Sequence, residues 1–205
     1  MAKEPWLFAS QFNDLMAMLP WVRLKKEKEA MRGIMEQRRR IYPREQVKAD
    51  STAIMERIEQ LPQFQEAKVV LVYYPIHHEV DLRSLMTKYE SEKTFLLPVS
   101  HRHYIEVRPY AGEELMAPGR FGIPEPKTLQ YKGNIDMVIV PGVAFDTHLH
   151  RLGRGKGYYD KFLKDHSSSR VGVAFDFQVR KTELPHNSRD SKMDLIITPT
   201  QTIGE

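Results

Sequence analysis

The chain has no cysteine among its 205 residues. This excludes a disulfide framework and any thiolate chemistry, catalytic or metal-binding. A cysteine-free chain fits the reducing cytoplasm, so we expect a cytoplasmic protein. The length favours one domain with a substantial hydrophobic core.

Long hydrophobic runs are also missing, since no stretch approaches the about 18 apolar residues that a membrane span needs. The apolar segment 5–21 is interrupted by polar residues and has no basic region before it, unlike a signal peptide. Its apolar residues recur at helical spacing. We therefore expect an N-terminal extension over 1–24 that forms a short packing helix, a single domain over 25–205, and no membrane contact.

Charge of one sign is only slightly in excess, with a formal net charge of +4. A modest basic balance suits anionic ligands from ATP to RNA and does not distinguish between them.

Short apolar runs alternate with helical stretches. Runs that are apolar at every position are typical of strands covered on both faces. We predict a three-layer α/β/α sandwich around a central mostly parallel (mixed) sheet, with an antiparallel pair over 94–110. The predicted helices are 23–40, 43–61 with Pro43 as its first residue, and 82–92. The predicted strands are 68–75, 94–99, 104–110, 135–145, 170–176 and 194–200.

The segment "RLGRGKGYYD" (151–160) alternates three glycines with Arg154 and Lys156, and a predicted helix opens at Tyr158. Glycine lets the backbone approach a ligand closely, and consecutive N–H groups can surround an anion. The segment is neither a Walker A loop nor a dinucleotide fingerprint, because Lys156 is followed by Gly157 and the glycine spacing differs. From these residues alone, a polyphosphate site and a basic surface turn both remain open.

Two aspartates are candidate metal ligands: Asp160, just inside the helix that this segment opens, and Asp194, at the head of the last predicted strand. Paired carboxylates beside a polyphosphate loop commonly hold Mg²⁺, which prefers oxygen ligands. A helix cap or a surface charge is the alternative for each.

Other catalytic motifs are missing. There is no G-x-S-x-G nucleophile elbow. Histidines recur at i, i+2 spacing at 101/103 and 148/150, which would share one strand face, but no H-x-x-x-H pair exists and a zinc site is not expected. The chemistry is expected to centre on phosphate.

Five segments in order resemble the 5-formyltetrahydrofolate cyclo-ligase (5,10-methenyltetrahydrofolate synthetase) family. The glycine-rich segment is the most specific, and together they span about residues 25–200. They are "KEKEAMRGIMEQRRR" (26–40), "VYYPIHHEVD" (72–81), "FGIPEP" (121–126), "VPGVAFDTHLHRLGRGKGYYDKFL" (140–163) and "KMDLIITP" (192–199).

The resemblance implies the NagB/RpiA/CoA-transferase-like architecture and an ATP-dependent ring closure. MgATP and 5-formyltetrahydrofolate would give 5,10-methenyltetrahydrofolate, ADP and phosphate through a phosphorylated formyl group. It also implies small-molecule substrates without nucleic acid or membrane, in a monomer or weak homodimer.

The resemblance implies catalytic roles for Arg154, Lys156 and Tyr158, and Mg²⁺ ligands at Asp160 and Asp194. The nucleotide would contact Lys28, Arg32, Arg151, Leu152, Gly153, Arg154, Gly155, Lys156, Gly157, Tyr158 and Tyr159. The folate would contact Tyr74, Glu79, Phe121, Glu125 and the loop residues Arg154, Gly155, Lys156, Gly157 and Tyr158.

Some residues depart from the family or are assigned no role. The family commonly has glycine where Leu149 stands, and a smaller or aliphatic residue in place of Tyr74. Arg38, Arg39 and Arg40 are expected to form a solvated basic face.

Two other functional classes are compatible with parts of the sequence. A nucleic-acid-binding module would suit the Arg/Lys runs, but here these residues accompany glycines and carboxylates rather than stacking aromatics. A phosphosugar isomerase or CoA-transferase-like enzyme would share the three-layer architecture without using ATP, an analogy at the level of fold alone.

Overall fold

The computed structural model describes residues 19–76 and 78–204. The predicted N-terminal packing helix lies almost entirely outside them. The charged stretch forms a long helix that begins at Pro20, where a proline's missing N–H costs nothing. The second helix begins directly after Pro43, not at it. The α-helices are α1 (Pro20–Arg40), α2 (Arg44–Glu59), α3 (Pro62–Glu66), α4 (Arg83–Lys88) and α5 (Tyr158–Lys164).

Each predicted strand is present, most of them shorter than the apolar run that contains them. The run 135–145 divides into two strands at Gly142. The strands are β1 (Val69–Leu71), β2 (Thr94–Ser100), β3 (Ile105–Pro109), β4 (Met116–Pro118), β5 (Pro124–Pro126), β6 (Met137–Pro141), β7 (Ala144–Asp146), β8 (Arg151–Leu152), β9 (Ser169–Val173), β10 (Val179–Arg180), β11 (Leu195–Ile197) and β12 (Thr202–Ile203).

Seven strands form the central sheet in the order β12-β11-β9-β6-β1-β2-β3. The five inner strands are parallel, and both edge strands are antiparallel to their neighbours. The mostly parallel mixed sheet and the antiparallel pair β2–β3 are therefore confirmed.

The two faces of the sheet bury different clusters, because successive residues of a strand point to opposite sides. Val70 packs with Ile54 of α2 and Phe64 of α3 on one face, together with α4. Leu71 packs with Phe162 of α5 on the other face. On this face the small sheet of order β10-β7-β8 packs beside α5, since Phe145 of β7 and Val179 of β10 belong to the same cluster as Phe162. The α/β sandwich is confirmed, while its specific likeness to phosphosugar isomerases and CoA-transferases stays a prediction.

The order in which strands are added to the sheet reverses at β1. The chain continues from β1 to β2 on one side, whereas β6 lies on the other side. At such a point the connections leave a crevice outside the carboxyl ends of the strands, where open α/β sheets bind ligands. Within the described ranges, no helix has the length and apolarity to cross a bilayer.

Candidate active site

A cavity of about 340 Å³ opens at the carboxyl ends of β1, β2 and β6. Its size and largely apolar wall are typical of small-molecule sites. The glycine-rich loop between β8 and α5 forms one side. The lining residues are Tyr73, Tyr74, Ile76, Glu79, Pro98, Ser100, Ile105, Phe121, Ile123, Glu125, Pro141, Gly142, Arg151, Gly153, Arg154, Lys156, Gly157, Tyr158, Tyr159 and Asp160.

The glycine-rich loop connects a strand to a helix, as predicted. Gly155 and Gly157 have φ angles of 95° and 66°, a left-handed region that other residues adopt only with strain. Exposed Arg154 and Lys156 alternate with them at the cavity wall. Tyr158 Oη donates to the His101 carbonyl oxygen at 2.8 Å, which ties the start of α5 to the end of β2.

Arg151 lies under this loop with its side chain only 4% exposed. Its Nη2 donates to Asp160 Oδ1 at 2.9 Å, and its Nη1 donates to the Pro141 carbonyl at 3.2 Å. Within the described part of the chain, its Nε has no hydrogen-bond partner. A buried N–H without a partner costs about 1–3 kcal/mol, so an acceptor supplied by a ligand would be favoured here.

Tyr159 adds a protonated phenol to the same side. Its ring lies 5.6 Å from Arg151 Cζ. Burial raises the pKa of Tyr159 well above its usual 10, against the opposing charge of Arg151. The phenol therefore keeps its proton at neutral pH and can act as a hydrogen-bond donor.

Lys28 and Arg32 project from α1 towards the loops around the cavity without lining it. Lys28 Nζ pairs with Asp190 Oδ2 at 2.5 Å. Arg32 Nε donates to the Gly153 carbonyl at 2.8 Å, and its guanidinium lies beside Gly155. Both cations hold the segments that carry the site.

Arg39 corrects the prediction of a solvated basic face. Its side chain is 5% exposed, its Nη2 donates to Glu36 Oε2 at 2.8 Å, and its Nη1 lies 3.5 Å from Glu79 Oε1. The signal was present in the sequence: Arg39 stands eleven residues after Lys28 and seven after Arg32, which places all three on one helix face.

Glu79 lies at the cavity wall, where the folate was expected. Its Oε1 accepts a hydrogen bond from Arg154 Nη2 at 2.7 Å, and its Oε2 accepts one from the Ile76 backbone N–H at 3.1 Å. Tyr74 lines the same wall, and its hydroxyl donates to a Glu113 carboxylate oxygen at 3.1 Å.

Phe121 and Glu125 also line the cavity. Phe121 has a φ of 64° and presents an exposed ring to the cavity. Glu125 Oε1 accepts from the Ser100 backbone N–H at 2.8 Å, which fixes this carboxylate at the end of β2.

Two predicted site residues lie elsewhere. The Leu152 side chain packs with Met35 and Leu184 in a small core cluster, so it turns away from the cavity. The carboxylate of Asp194 accepts from the Arg170 backbone N–H at 2.7 Å. Asp194 precedes β11, and so lies at the amino end of a parallel strand, opposite the edge where the cavity opens. The structure does not bring Asp194 to Asp160.

A histidine cluster lies beside the β7–β8 hairpin. The rings of His150 and His186 stack at 3.8 Å, and ligand atoms of these residues and Glu183 lie within 4.8 Å of one another. However, His150 Nδ1 bonds to Asp146 Oδ2 and His186 Nδ1 bonds to the Leu184 carbonyl, both at 3.0 Å. The nitrogens nearest Glu183 therefore act as donors, and we interpret the cluster as a hydrogen-bond network that fixes the loop.

The sequence assigned no role to several residues at or beside the cavity. Tyr73, Ile105 and Ile123 contribute apolar surface only because the strands and loops that carry them meet at one edge. Ser191, whose backbone N–H lies 3.3 Å from Asp160 Oδ1, belongs to a polar loop that no motif distinguishes.

Known proteins resemble the chain over most of its length. A model of the 5-formyltetrahydrofolate cyclo-ligase family matches residues 24–199. The probable 5-formyltetrahydrofolate cyclo-ligase of Schizosaccharomyces pombe is 29% identical, over 77% of this chain and 87% of that protein. Its counterpart in Caenorhabditis elegans is 28% identical, over 88% of this chain and 96% of that protein.

The solved structures agree. The NMR structure of the Aquifex aeolicus 5,10-methenyltetrahydrofolate synthetase superposes with a TM-score of 0.78 at 34% identity, covering 86% of this chain and 92% of that one. The Mycoplasma pneumoniae enzyme of the same name supports the fold, with a TM-score of 0.69 at 23% identity over 84% of this chain and 99% of that one. The extent of these matches, and the glycine-rich loop at the cavity, show that the chain belongs to the 5-formyltetrahydrofolate cyclo-ligase family.

Proposed function

We propose that the protein converts 5-formyltetrahydrofolate and MgATP to 5,10-methenyltetrahydrofolate, ADP and phosphate. One observation carries the proposal: a single cavity joins a cationic glycine-rich loop to an apolar wall that bears the fixed carboxylates Glu79 and Glu125. The loop suits a polyphosphate, and the wall suits a ring system with hydrogen-bond donors.

The chemistry needs ATP because a formamide oxygen is a poor leaving group. In the proposed sequence this oxygen attacks the γ-phosphorus, the bond to the β-phosphate oxygen breaks, and ADP departs. N10 of the same folate then attacks the activated carbon and loses its proton, and the C–O bond breaks to release phosphate. Both steps depend on holding two groups close together and on neutralising charge.

Arg154, Lys156 and Tyr158 are the proposed catalytic groups. The two cations flank glycines at the cavity wall, where they can reach the phosphates. Tyr158 is held against the end of β2 and lines the cavity, where it would face both substrates. Arg151 and Tyr159 would donate to the nucleotide from beneath the loop. Lys28 and Arg32 would contact the phosphates after they release Asp190 and the Gly153 carbonyl, respectively.

Mg²⁺ would bind at Asp160. The carboxylate lines the cavity, and hydrogen bonds from Arg151 and Ser191 engage its Oδ1. An ion that prefers oxygen ligands and keeps several waters needs only one or two carboxylates beside the substrate phosphates. Bound there, it would neutralise phosphate charge. Asp194 accepts a hydrogen bond from the Arg170 backbone N–H at the opposite edge of the central sheet. We propose that it stabilises the sheet there instead of binding the metal.

Tyr74, Glu79, Phe121 and Glu125 are proposed to bind the folate. The two carboxylates would accept hydrogen bonds from its ring nitrogens, and the aromatic rings would cover its faces. The protein is proposed to act on these small molecules as a monomer or weak homodimer, and its lack of cysteine supports a cytoplasmic location.

The decisive experiment mixes the protein with MgATP and 5-formyltetrahydrofolate and follows the near-ultraviolet absorbance of the methenyl product. We expect a rise that requires both substrates, with ADP formed in equal amount. ATP hydrolysis that does not depend on 5-formyltetrahydrofolate, or no rise in absorbance at any enzyme concentration, would refute the proposal.

A further inference from the structure

A row of four charged side chains connects helix α1 to the glycine-rich loop. Arg39 Nη2 donates to Glu36 Oε2 at 2.8 Å, and Arg39 Nη1 lies 3.5 Å from Glu79 Oε1. The same Glu79 oxygen accepts from Arg154 Nη2 at 2.7 Å. Two guanidinium groups therefore share one carboxylate oxygen at the cavity wall.

The inner and outer members of this row differ in burial. The Arg39 and Glu79 side chains are 5% and 10% exposed, whereas those of Glu36 and Arg154 are 44% and 48% exposed. Charges that are held out of water attract each other more strongly, and solvent screens exposed pairs. Arg39 is thus the buried counterion of Glu79, and Arg154 is a partner that can leave.

The Glu79–Arg154 pair cannot persist as it stands in the complex that we propose above. Phosphate oxygens compete for the Arg154 guanidinium, and donors of the folate compete for the Glu79 carboxylate. When Arg154 leaves, Glu79 would be a nearly buried charge without a counterion if Arg39 were absent.

We propose that Arg39 is a positioning residue that holds the Glu79 carboxylate oriented for the folate while Arg154 transfers from Glu79 to the nucleotide. This inference rests on the proposed function. Each substrate removes one partner of the same ion pair, so binding of one favours binding of the other, and the coupling is reciprocal. Arg39 touches neither substrate and acts through Glu79.

The test compares steady-state kinetics of wild type, Arg39→Gln and Arg39→Lys. We expect Arg39→Gln to raise KM for 5-formyltetrahydrofolate roughly tenfold or more. Removing Arg39 leaves the buried Glu79 carboxylate without its counterion, so Glu79 should bind the folate more weakly. kcat should change less than KM. Arg39→Lys keeps the buried charge without the planar fork, so it should restore part of the affinity.

Arg38→Gln is the matched control, because it removes the same charge from an exposed neighbour on α1. It should leave both KM values unchanged. The double variant Arg39→Gln/Glu79→Gln should raise the folate KM no more than Glu79→Gln alone, since Arg39 then has no carboxylate to position.

The outcomes separate this inference from the proposed function. A wild-type protein that forms no methenyl product refutes the function itself. An active wild type whose Arg39→Gln variant melts at lower temperature but keeps the folate KM refutes only the inference, and shows a purely structural role. Additive effects in the double variant would refute it as well.

Discussion

Leu149 adopts the left-handed backbone conformation, with a φ of 69°. The family resemblance predicts glycine at this position, because glycine takes this conformation without steric cost. The turn nevertheless forms, with the Leu149 N–H donating to the Asp146 carbonyl at 3.1 Å. The leucine side chain packs against the second core cluster, and this burial offsets a strain of about 1–2 kcal/mol.

Asp146 fixes the same turn from inside. Its fully buried carboxylate accepts hydrogen bonds from the backbone of His148, His150 and Leu184 and from the His150 ring. Burial alone would raise the pKa of Asp146, but these hydrogen bonds outweigh it and bring the pKa below the usual 3.8. A lowered folded-state pKa contributes stability above the unfolded value of about 3.9, and this is lost as the pH falls through the folded value.

We expect Asp146→Asn to lower the free energy of unfolding by roughly 2 kcal/mol at pH 7, because an amide nitrogen would face donors that now bond to Oδ2. The difference from wild type should shrink as the pH falls below about 4. Urea unfolding at several pH values measures both effects. An equal difference at pH 7 and pH 3 would contradict this account of the carboxylate.

At the scale of elements, α1 connects the core to the site. Met35 packs into a core cluster with Val143 and Leu184, and on the same face Arg32 contacts the glycine-rich loop. A rigid helix anchored in this way sets where the loop backbone lies. The loop itself has two positive-φ glycines and little packing of its own.

Arg32→Ala should therefore weaken the use of ATP more than it weakens the fold. We expect kcat/KM for ATP to fall roughly 10–100-fold, because the variant loses a loop contact and a cation. The melting temperature should stay within about 4 °C, as expected for a loss of up to about 1 kcal/mol. Arg23→Ala, on the exposed face of α1, is the control and should keep wild-type kinetics. An unchanged kcat/KM for ATP in Arg32→Ala would show that α1 does not position the glycine-rich loop for ATP.

At the scale of the molecule, the cavity joins segments from across the sequence, so a ligand there stabilises the native state as a whole. MgATP at about 100 times its Kd should add about 2.7 kcal/mol to the free energy of unfolding and raise the melting temperature by roughly 5–10 °C.

Lys156→Ala tests whether this MgATP-induced rise in melting temperature depends on Lys156. The Lys156 side chain is exposed, so without MgATP the variant should have the same melting temperature as wild type. Its MgATP-induced shift should be much smaller at the same nucleotide concentration, because a cation at the phosphates is gone. Thermal melts with and without MgATP give the comparison. A full-sized shift in the variant would place the phosphates away from Lys156.

The sequence alone determined the α/β class, the strands and the glycine-rich loop, because these depend on local properties. Continuous apolar runs need cover on both faces, and alternating glycines permit φ angles that other residues avoid. The predicted loop, its helix and the antiparallel pair β2–β3 all lie where those patterns placed them.

Only the tertiary structure decided which charges meet. Arg39 and Glu79 are forty residues apart, and Lys28 and Asp190 are 162 apart. No local pattern contains such pairs, because they depend on strand order and on how α1 packs against the β7–β8 hairpin. The same topology separates Asp160 from Asp194: parallel strands gather their carboxyl ends at one edge, and Asp194 precedes its strand at the other.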